Sequence, residues 1–412
     1  MENYNVLERY NLILIRYSGE IWLKSMKVRI RMIKNLINNI KKHLNRYDIL
    51  FHKYQLSEDS SRIFFFFKNQ DISNAIKVLK DIFGIYSISP ALRTSNELKN
   101  IVERTIEVGK DIFKENDTFA INVKRSGKQE YSSQDAAKLV GKAVLDSFSN
   151  LNLKVNLSNP IKRIFIEIRS EFSYIFTEII KSDWGGLPID KENKVLSMDI
   201  GRVNDLLAGF FLMKRGCQIY PFLFDLTNDN LKFNLWLDNW KEITKYFPNK
   251  RFLVRKVNFV KLLDKVSLEL KDKDFFCAIC RLIRLETSAK LLKEGNILDF
   301  EKIRAITDGI SLNNSTLCND NVDLESISLN FLYSDLPIFT PIIGFDLLEI
   351  NNIINKLSNN LKNFDYCRFK PKNQSIDIEK LKNIYHELKL ENSINEILVN
   401  IEIFDITKNE NL

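Results

Sequence analysis

Histidine is nearly absent: His43, His52 and His386 are the three in 412 residues. They are too scattered to suggest a zinc site or a nucleophile–base pair. No apolar run reaches the length of a membrane span, and the N-terminus lacks a signal-peptide pattern. Neither a membrane protein nor a secreted one is expected, and the cytoplasm is the expected compartment. Cysteine is also sparse, with five in the chain. Without a secretory signal these thiols should stay reduced rather than staple a small fold.

What is present is a large apolar complement: 45% of residues, with 29 Phe. That excludes a disordered chain and supplies two or three domains with cores of their own. The net charge of +8 is unevenly spread. Between Arg16 and Arg46 there are nine Lys and Arg against one Glu. A local excess of this kind points to a polyanion partner; the other reading is a solvated basic face.

Asn11–Arg16 reads as a strand and Lys24–Arg46 as a long helix. At about 100° per residue, Val28, Met32, Ile33, Leu36, Ile37, Ile40 and Leu44 share one half of that helix. Lys24, Lys27 and Arg31 belong to the opposite, basic side. Arg62–Lys68 is a buried strand, Asp71–Phe83 a helix with Asp71 as N-cap, and Ile85–Ser89 a further strand. The order β-α-β-β-α-β fits a ferredoxin-like unit. Next, strand Phe119–Val123 runs into Lys124, Arg125 and Lys128 around Gly127, and Ser132-Ser133-Gln134-Asp135 matches a capping box. Three cations beside a helix N-terminus can hold backbone phosphates without reading sequence.

From Val195 onward the chain alternates. Val195–Met198 is a short strand, Leu206–Arg215 an apolar helix, and Gly216 stands where a helix ends. Strand Gln218–Phe224, helix Leu231–Tyr246, strand Phe252–Phe259, helix Phe275–Lys293 and strand Lys302–Ile306 follow, then an apolar segment at Ile338–Phe345 and helix Leu347–Leu361. Such alternation predicts a doubly wound, mainly parallel sheet.

Three stretches carry a family resemblance. RYSGEIWLKSMKVRIRMIKNLINNIK, from Arg16, resembles the opening of the tRNA 4-thiouridine synthetases (tRNA sulfurtransferases), RYGEIxLKGxNRxxFxxxLxxNI. VKRSGKQEYSSQDAAKLVG, from Val123, is similar almost position for position to VKRxGKHxFSSxDVxRxVG of that family's THUMP domain. VLSMDIGRVNDLLAGFFLMKRGC, Val195–Cys217, aligns without a gap to the pyrophosphate-loop segment VLSLISGGxDSxVAxxxMMKRGC. The link Trp184-Gly-Gly-Leu-Pro188 resembles GxGGLPxG.

The resemblance implies a mixed α/β and α+β multidomain protein. A ferredoxin-like domain is expected over 1–92, a THUMP domain over 93–183 and a doubly wound α/β domain of pyrophosphate-loop type over 184–412. It also implies a tRNA-binding protein of ATP-dependent uridine thiolation, in which O4 of a tRNA uridine is adenylated and sulfur installed. Lys24, Lys27, Arg31, Lys124, Arg125, Lys128, Ser132 and Ser133 are the implied RNA-binding residues. Met198, Asp199, Gly201, Arg202, Asn204, Asp205 and Arg281 are the implied nucleotide-site residues, with ATP and magnesium as cofactors. A sulfur donor and a second copy of the chain are further expected partners.

The loop departs from the pattern. Gly201 survives, but Arg202 stands for a Gly, Asn204 for the family's key Asp, and Ile200 and Asp205 for two Ser. Arg202 can be read as a substitute phosphate ligand or as the ion-pair partner of Asp199 and Asp205. The second ATP-contact region, TGExLGQVASQT, is shortened to Thr307–Leu317, whereas Pro341–Asp346 keeps PLIGxD. Cys277-Ala-Ile-Cys280-Arg281 resembles the CxxCKR of archaeal members, and Tyr366-Cys367 with Pro371 resembles YCxxxP. By resemblance Cys277, Cys280 and Cys367 are the catalytic thiols or the ligands of an iron–sulfur cluster; the other reading of CxxC is two buried apolar thiols. Cys217 is expected to be buried, and Cys318 matches nothing. Little chain follows Cys367, so no added rhodanese domain is expected. Loss of the loop's donors raises the alternative of a non-catalytic tRNA-binding paralogue that no longer activates ATP.

Overall fold

The computed structural model describes residues 10–294, 303–312, 327–332, 334–363, 367–373, 375–407 and 410–411. They fall into two units, Met1–Pro188 and Ile189–Leu412. The first begins with β1 (Leu12–Tyr17), α1 (Gly19–Trp22), α2 (Met26–Arg46), β2 (Phe51–Leu56), β3 (Ile63–Phe67), α3 (Ile72–Leu79) and β4 (Ile85–Ser95). Apart from the short α1 this is the ferredoxin-like order. Because successive strand residues point to opposite faces, the all-buried β3 serves two cores. Ile63, Phe65 and Phe67 join Ile13 and Ile15 of β1 on one side; Phe64 and Phe66 join Leu12 and Leu14 on the other.

Helix α2 buries Ile33, Leu36, Ile37, Ile40 and Leu44, as its apolar stripe requires. Each such side chain contributes about 1.5–3 kcal/mol of burial free energy. Asn39 and His43 are buried with them, and the His43 Nδ1 lies 2.9 Å from the Asn39 carbonyl oxygen. Asp71 is the N-cap residue before α3 but makes no side-chain capping bond.

The eleven-residue β4 joins two parts of one sheet. It pairs with β1 and with β9 (Ile180–Lys181), and its last residues pair with β8 (Phe172–Phe176). The sheet continues through β7 (Lys162–Ile168) and β5 (Thr118–Arg125) to β6 (Lys154–Val155). The expected border at 92/93 therefore falls inside a strand. Helices α4 (Leu98–Ile112) and α5 (Ser133–Ser147) pack on this part. The capping box forms: Ser132 Oγ accepts from the Asp135 N–H at 3.1 Å, and the Asp135 carboxylate accepts from the Ser132 N–H at 3.1 Å.

In the second unit, β10 (Asp190–Asp199), β11 (Cys217–Asp225), β12 (Leu253–Asn258), β13 (Ile303–Thr307) and β14 (Ile338–Phe339) are parallel, in the order β14-β13-β10-β11-β12. β15 (Glu402–Asp405) and β16 (Glu410–Asn411) add an antiparallel edge. The connecting helices are α6 (Val203–Lys214), α7 (Asn230–Ile243), α8 (Val260–Glu269) and α9 (Phe276–Glu294), with α10 (Leu347–Leu357), α11 (Ile378–Glu387) and α12 (Glu391–Val399) following. Gly216, at φ +89, closes α6 in the left-handed conformation. α10 ends four residues earlier than expected. Ser358 turns extended there, and its hydroxyl accepts the Asn360 N–H at 3.1 Å, an alternative to the helix bond.

From β10 the sheet grows one way through β11 and β12, then returns to β13 on the other side. The carboxyl end of β10 is therefore a topological switch point, where doubly wound sheets open a crevice. Residues 200–202 sit at that end. No helix among the described residues is long and apolar enough to cross a membrane.

Candidate functional site: a closed loop and a braced basic turn

β10 delivers Asp199 to the crevice, and α6 begins at Val203 with Arg202 as its N-cap. Gly201 adopts φ +94, a conformation that penalises any side chain. Three backbone N–H groups here find side-chain acceptors within the protein. Ile200 donates to Asp205 Oδ2 at 3.1 Å, Gly201 to Asp199 Oδ1 at 2.6 Å and Val203 to Asn363 Oδ1 at 2.9 Å. The Gly309 N–H, just beyond β13, donates to Asp205 Oδ1 at 3.1 Å. Arg202 completes the set: its Nε lies 3.1 Å from Asp205 Oδ2 and its Nη2 2.5 Å from Asp205 Oδ1. Of the two sequence readings of Arg202, the ion pair is the one formed, and Asp205 is the partner.

Two backbone N–H groups and a guanidinium fork converging on one anion are what a phosphate group requires. Here the anion is the Asp205 carboxylate, 1% exposed. Gly309 closes the space further. A Cβ on it would lie 2.3 Å from the Asn204 carbonyl carbon, so only glycine permits this approach.

Asp199 is held from behind. Its Oδ2 accepts from the indole N–H of Trp236 at 2.6 Å and of Trp240 at 2.9 Å, both on α7. Burial pushes its carboxyl up to about 7, the charge of Asp205 adds to that, and the indoles and the Gly201 N–H pull it back. Arg281, on α9, pairs with Asp308 at 2.7 Å and also bonds Asn330. Its guanidinium is pushed down by burial, against the pull of Asp308 and with the repulsion of Arg284 and Arg202. The structure thus gathers Asp199, Gly201, Arg202, Asn204, Asp205 and Arg281 around one crevice, with Met198 buried in the strand beneath. Sequence reading missed Trp236, Trp240, Gly309, Asn330 and Asn363. The available signal was a charged residue ending a buried strand together with two tryptophans four apart on a helix.

Cys277 and Cys280 lie three apart at the start of α9. Cys280 is buried in the core of the second unit, Cys367 packs at the margin of that core, and Cys277 is half-buried. Among the described residues no group of three His, Cys, Asp or Glu side chains is placed to hold a metal ion. Cys217 is half-buried, and burial raises its thiol. Tyr366, Cys318 and residues 313–317 of the second ATP-contact region lie outside the described residues.

In the first unit Lys24, Lys27 and Arg31 are exposed at the start of α2. Lys124 and Arg125 at the end of β5 and Lys128 just beyond it are exposed, but they do different work. Arg125 turns inward on its own loop, donating to the Gln129 carbonyl at 3.0 Å and the Tyr131 carbonyl at 2.6 Å. Gln129 Nε2 reaches the Arg169 carbonyl at 3.2 Å, and the Tyr131 hydroxyl reaches the Asn96 carbonyl at 2.6 Å. The turn is braced from three sides and holds Gly127 at φ +107. The capping box uses the Ser132 and Asp135 N–H groups, which leaves Lys124 and Lys128 as the turn's outward cations.

Behind this turn is a cluster that sequence reading did not anticipate. Glu167 is buried and accepts from Arg16 at 2.8 Å, Arg62 at 3.0 Å and Arg169 at 2.8 Å. Burial works to raise its carboxyl, but the three guanidiniums win and hold it at about 2. Arg169 also meets Asp59 at 3.1 Å. A cavity of about 340 Å³ opens beside the turn, walled by Phe64, Tyr174, Asp59, Ser126, Gly127 and Arg169.

A ferredoxin-like sheet continued into a second α/β layer with a basic turn, followed by a doubly wound domain with a loop at its switch point, defines a multidomain protein of the pyrophosphate-loop class. Family models match in the same order: the ThiI ferredoxin-like domain over 12–89, the THUMP domain over 95–178, and thiamine biosynthesis protein (ThiI) over 191–390. The chain belongs to the tRNA sulfurtransferase (ThiI) family.

A probable tRNA sulfurtransferase of Saccharolobus solfataricus is 29% identical over 395 residues, 93% of this chain and 98% of the relative. One from Methanosarcina mazei is 28% identical over 354 residues, 84% of this chain and 82% of the relative. Among solved structures, a 4-thiouridine synthetase–RNA complex with bound ATP superposes with a TM-score of 0.76 at 19% identity, over 96% of this chain and 99% of the other. PH1313 from Pyrococcus horikoshii gives 0.63 at 24% identity, over 84% and 99%. At these identities the structures speak for the fold.

Proposed function

We propose that this protein binds tRNA and serves the uridine-thiolation chemistry of its family. The observation that carries the RNA part is the braced turn: Arg125 spends its guanidinium on the loop's own carbonyls so that Lys124 and Lys128 face outward. Cations fixed in this way meet backbone phosphates and read no bases, as suits a protein that recognises a folded RNA by shape. Lys24, Lys27 and Arg31 extend the cationic surface, and Ser132 and Ser133 start the helix behind the turn. Binding of unmodified tRNA across a salt series tests this, with a double-stranded DNA of equal charge as the competitor. Equal affinity for the two would count against it.

One observation favours a second reading of the protein's part in that chemistry. The Asp205 carboxylate fills the place where the loop would receive a phosphate, and Gly309 packs onto the backbone beside it. On this reading the chain is a non-catalytic tRNA-binding paralogue. On this reading neither ATP with magnesium nor a cluster on Cys277, Cys280 and Cys367 is bound. Calorimetric titration of ATP with magnesium, with and without tRNA, separates the readings. Micromolar ATP affinity returns the chain to the synthetases; none at millimolar ATP leaves it a binding protein. Loss of 4-thiouridine from tRNA of a strain lacking the gene then tests whether that binding serves thiolation.

A further inference from the structure

The two outward lysines of the basic turn have a carboxylate between them. Ser126, midway between Lys124 and Lys128, donates its hydroxyl to Asp59 Oδ2 at 3.4 Å. Asp59 belongs to the hairpin between β2 and β3. By charge alone, an acid at this place repels an RNA drawn to the lysines. Its bonds fit a different role. Ser57 Oγ and the Ser61 N–H donate to Asp59 Oδ1 at 2.6 and 3.0 Å, and Arg169 Nη1 donates to Oδ2 at 3.1 Å. Burial works to raise this carboxyl, but the Ser57 and Ser61 bonds and the charge of Arg169 hold it at about 2. The adjacent acid, Glu58, is exposed.

Arg169 carries the connection onward. Its Nη2 meets Glu167 at 2.8 Å, and its carbonyl accepts from Gln129 Nε2, on the far limb of the turn, at 3.2 Å. The Ser126 N–H donates to the Ile168 carbonyl at 2.9 Å, so both limbs of the turn rest on residues 168–169. On its other side the hairpin is pinned at Ser60, whose carbonyl accepts from the Tyr17 hydroxyl at 2.7 Å. Tyr17 ends β1, just ahead of α1 and the cations Lys24, Lys27 and Arg31. We infer that Asp59 is a positioning residue for RNA binding: through Ser126 and Arg169 it ties the Lys124/Lys128 turn to the hairpin, and through the hairpin to the cations at the start of α2. Two cation groups locked at one spacing meet a folded RNA with less ordering to do at binding. The carboxylate's charge is spent on Arg169, which limits its repulsion of phosphate.

The inference rests on the RNA reading above, and the test separates the two. Affinity of the full chain for unmodified tRNA is measured across a salt series for Asp59→Asn, Glu58→Gln, Tyr17→Phe and Lys124→Ala. The Asp59 side chain is 40% exposed, so its replacement leaves the core untouched. A carboxylate acting only through its charge binds RNA more tightly once neutralised. Asp59→Asn should do the reverse and bind about tenfold more weakly, the scale of one lost hydrogen bond to a charged group. Its salt slope should stay at the native value, because no cation is removed. Glu58→Gln makes the same charge change one residue away and should bind as tightly as the native chain or more so. Tyr17→Phe changes no charge and should also weaken binding, with a loss less than additive to that of Asp59→Asn. Deuterium uptake at residues 126–131 of the RNA-free protein should rise in Asp59→Asn and stay native in Glu58→Gln and Lys124→Ala. Native or tighter binding by Asp59→Asn, where Lys124→Ala weakens it, overturns the inference and leaves the RNA reading standing. No loss of binding in Lys124→Ala overturns the RNA reading, and the inference with it.

Discussion

Arg202 and Asp205 grip one another across the first turn of α6, guanidinium to carboxylate, at 3.1 and 2.5 Å. Both are buried, and the same carboxylate also takes the N–H groups of Ile200 and Gly309. Two residues that each depart from the family's loop pattern are therefore one device, in which a carboxylate gathers the N–H groups and an arginine neutralises it. Asp205→Ala removes an acceptor used by four donors and takes from buried Arg202 the carboxylate it forks onto. It should cost about 3–5 kcal/mol, read from urea unfolding followed by tryptophan fluorescence. Arg202→Met with Asp205→Ala should cost less than the two single changes added together. A single-mutant loss under about 1 kcal/mol would show that water serves these donors as well as the carboxylate does.

The two units should answer pH with opposite signs. Asp199 keeps its proton in the native protein up to about 7, whereas an unfolded Asp releases it near 3.9. Between about 4 and 7 the native state binds more protons, so the second unit loses stability as pH rises. Glu167 is held at about 2 by its three arginines against about 4.3 when unfolded. Its contribution is present above about 4 and lost as pH falls toward 2. Melting curves of Asp199→Asn and Glu167→Gln across pH 2–8 check both. Asp199→Asn should flatten the decline between pH 4 and 7, and Glu167→Gln the decline on the acid side.

The fold was readable wherever periodicity and local chemistry decide. The four consecutive Phe of β3, the stripe of α2 and the Ser132–Asp135 box all appear close to where the residues place them. Gly201 and Gly216 occupy left-handed positions at the loop and the helix end. What stayed hidden depends on partners far away in sequence. Nothing near Asp199 announces that Trp236 and Trp240 will donate to it, and Glu167 reads as an ordinary polar strand residue until Arg16 and Arg62 arrive. The edge strand β15 follows two helices and pairs antiparallel to a parallel sheet, which alternation does not foresee. The thiols were legible as a motif, CxxC with a later Cys367, and Cys280 and Cys367 lie in one apolar core.

The braced turn separates positioning from contact. Lys124→Ala and Lys128→Ala should each weaken tRNA binding and lower the salt slope by about one unit per phosphate lost. Arg125→Ala should weaken binding by a different route, because the turn loses its hold on the Gln129 and Tyr131 carbonyls while two outward cations remain. Its proteolytic susceptibility at residues 126–131 should rise, which neither lysine change should cause. Equal proteolysis in all three variants would place Arg125 among the contacts instead.

The closed loop should be reopenable. Restoring the family's residues through Arg202→Gly, Asn204→Asp and Asp205→Ser removes the internal anion, its counter-cation and the side chain that fills the approach. Gly201 already supplies the left-handed residue at the turn, and the N–H groups of Ile200 and Gly309 lose their acceptor. Those groups then need a partner, and a phosphate can satisfy them better than the short serine hydroxyl introduced by Asp205→Ser can alone. The triple variant should bind ATP with magnesium at least tenfold more tightly than the native chain in calorimetric titration, a difference of about 1.4 kcal/mol. Asp205→Ser alone should gain less, since Arg202 would still occupy the approach. Gly309→Ala, added to the triple variant, should abolish the gain, because its Cβ would sit 2.3 Å from the Asn204 carbonyl carbon and force the loop apart. If the triple variant folds and still ignores ATP, the block lies outside these three positions, and the shortened segment after Thr307 becomes the place to rebuild.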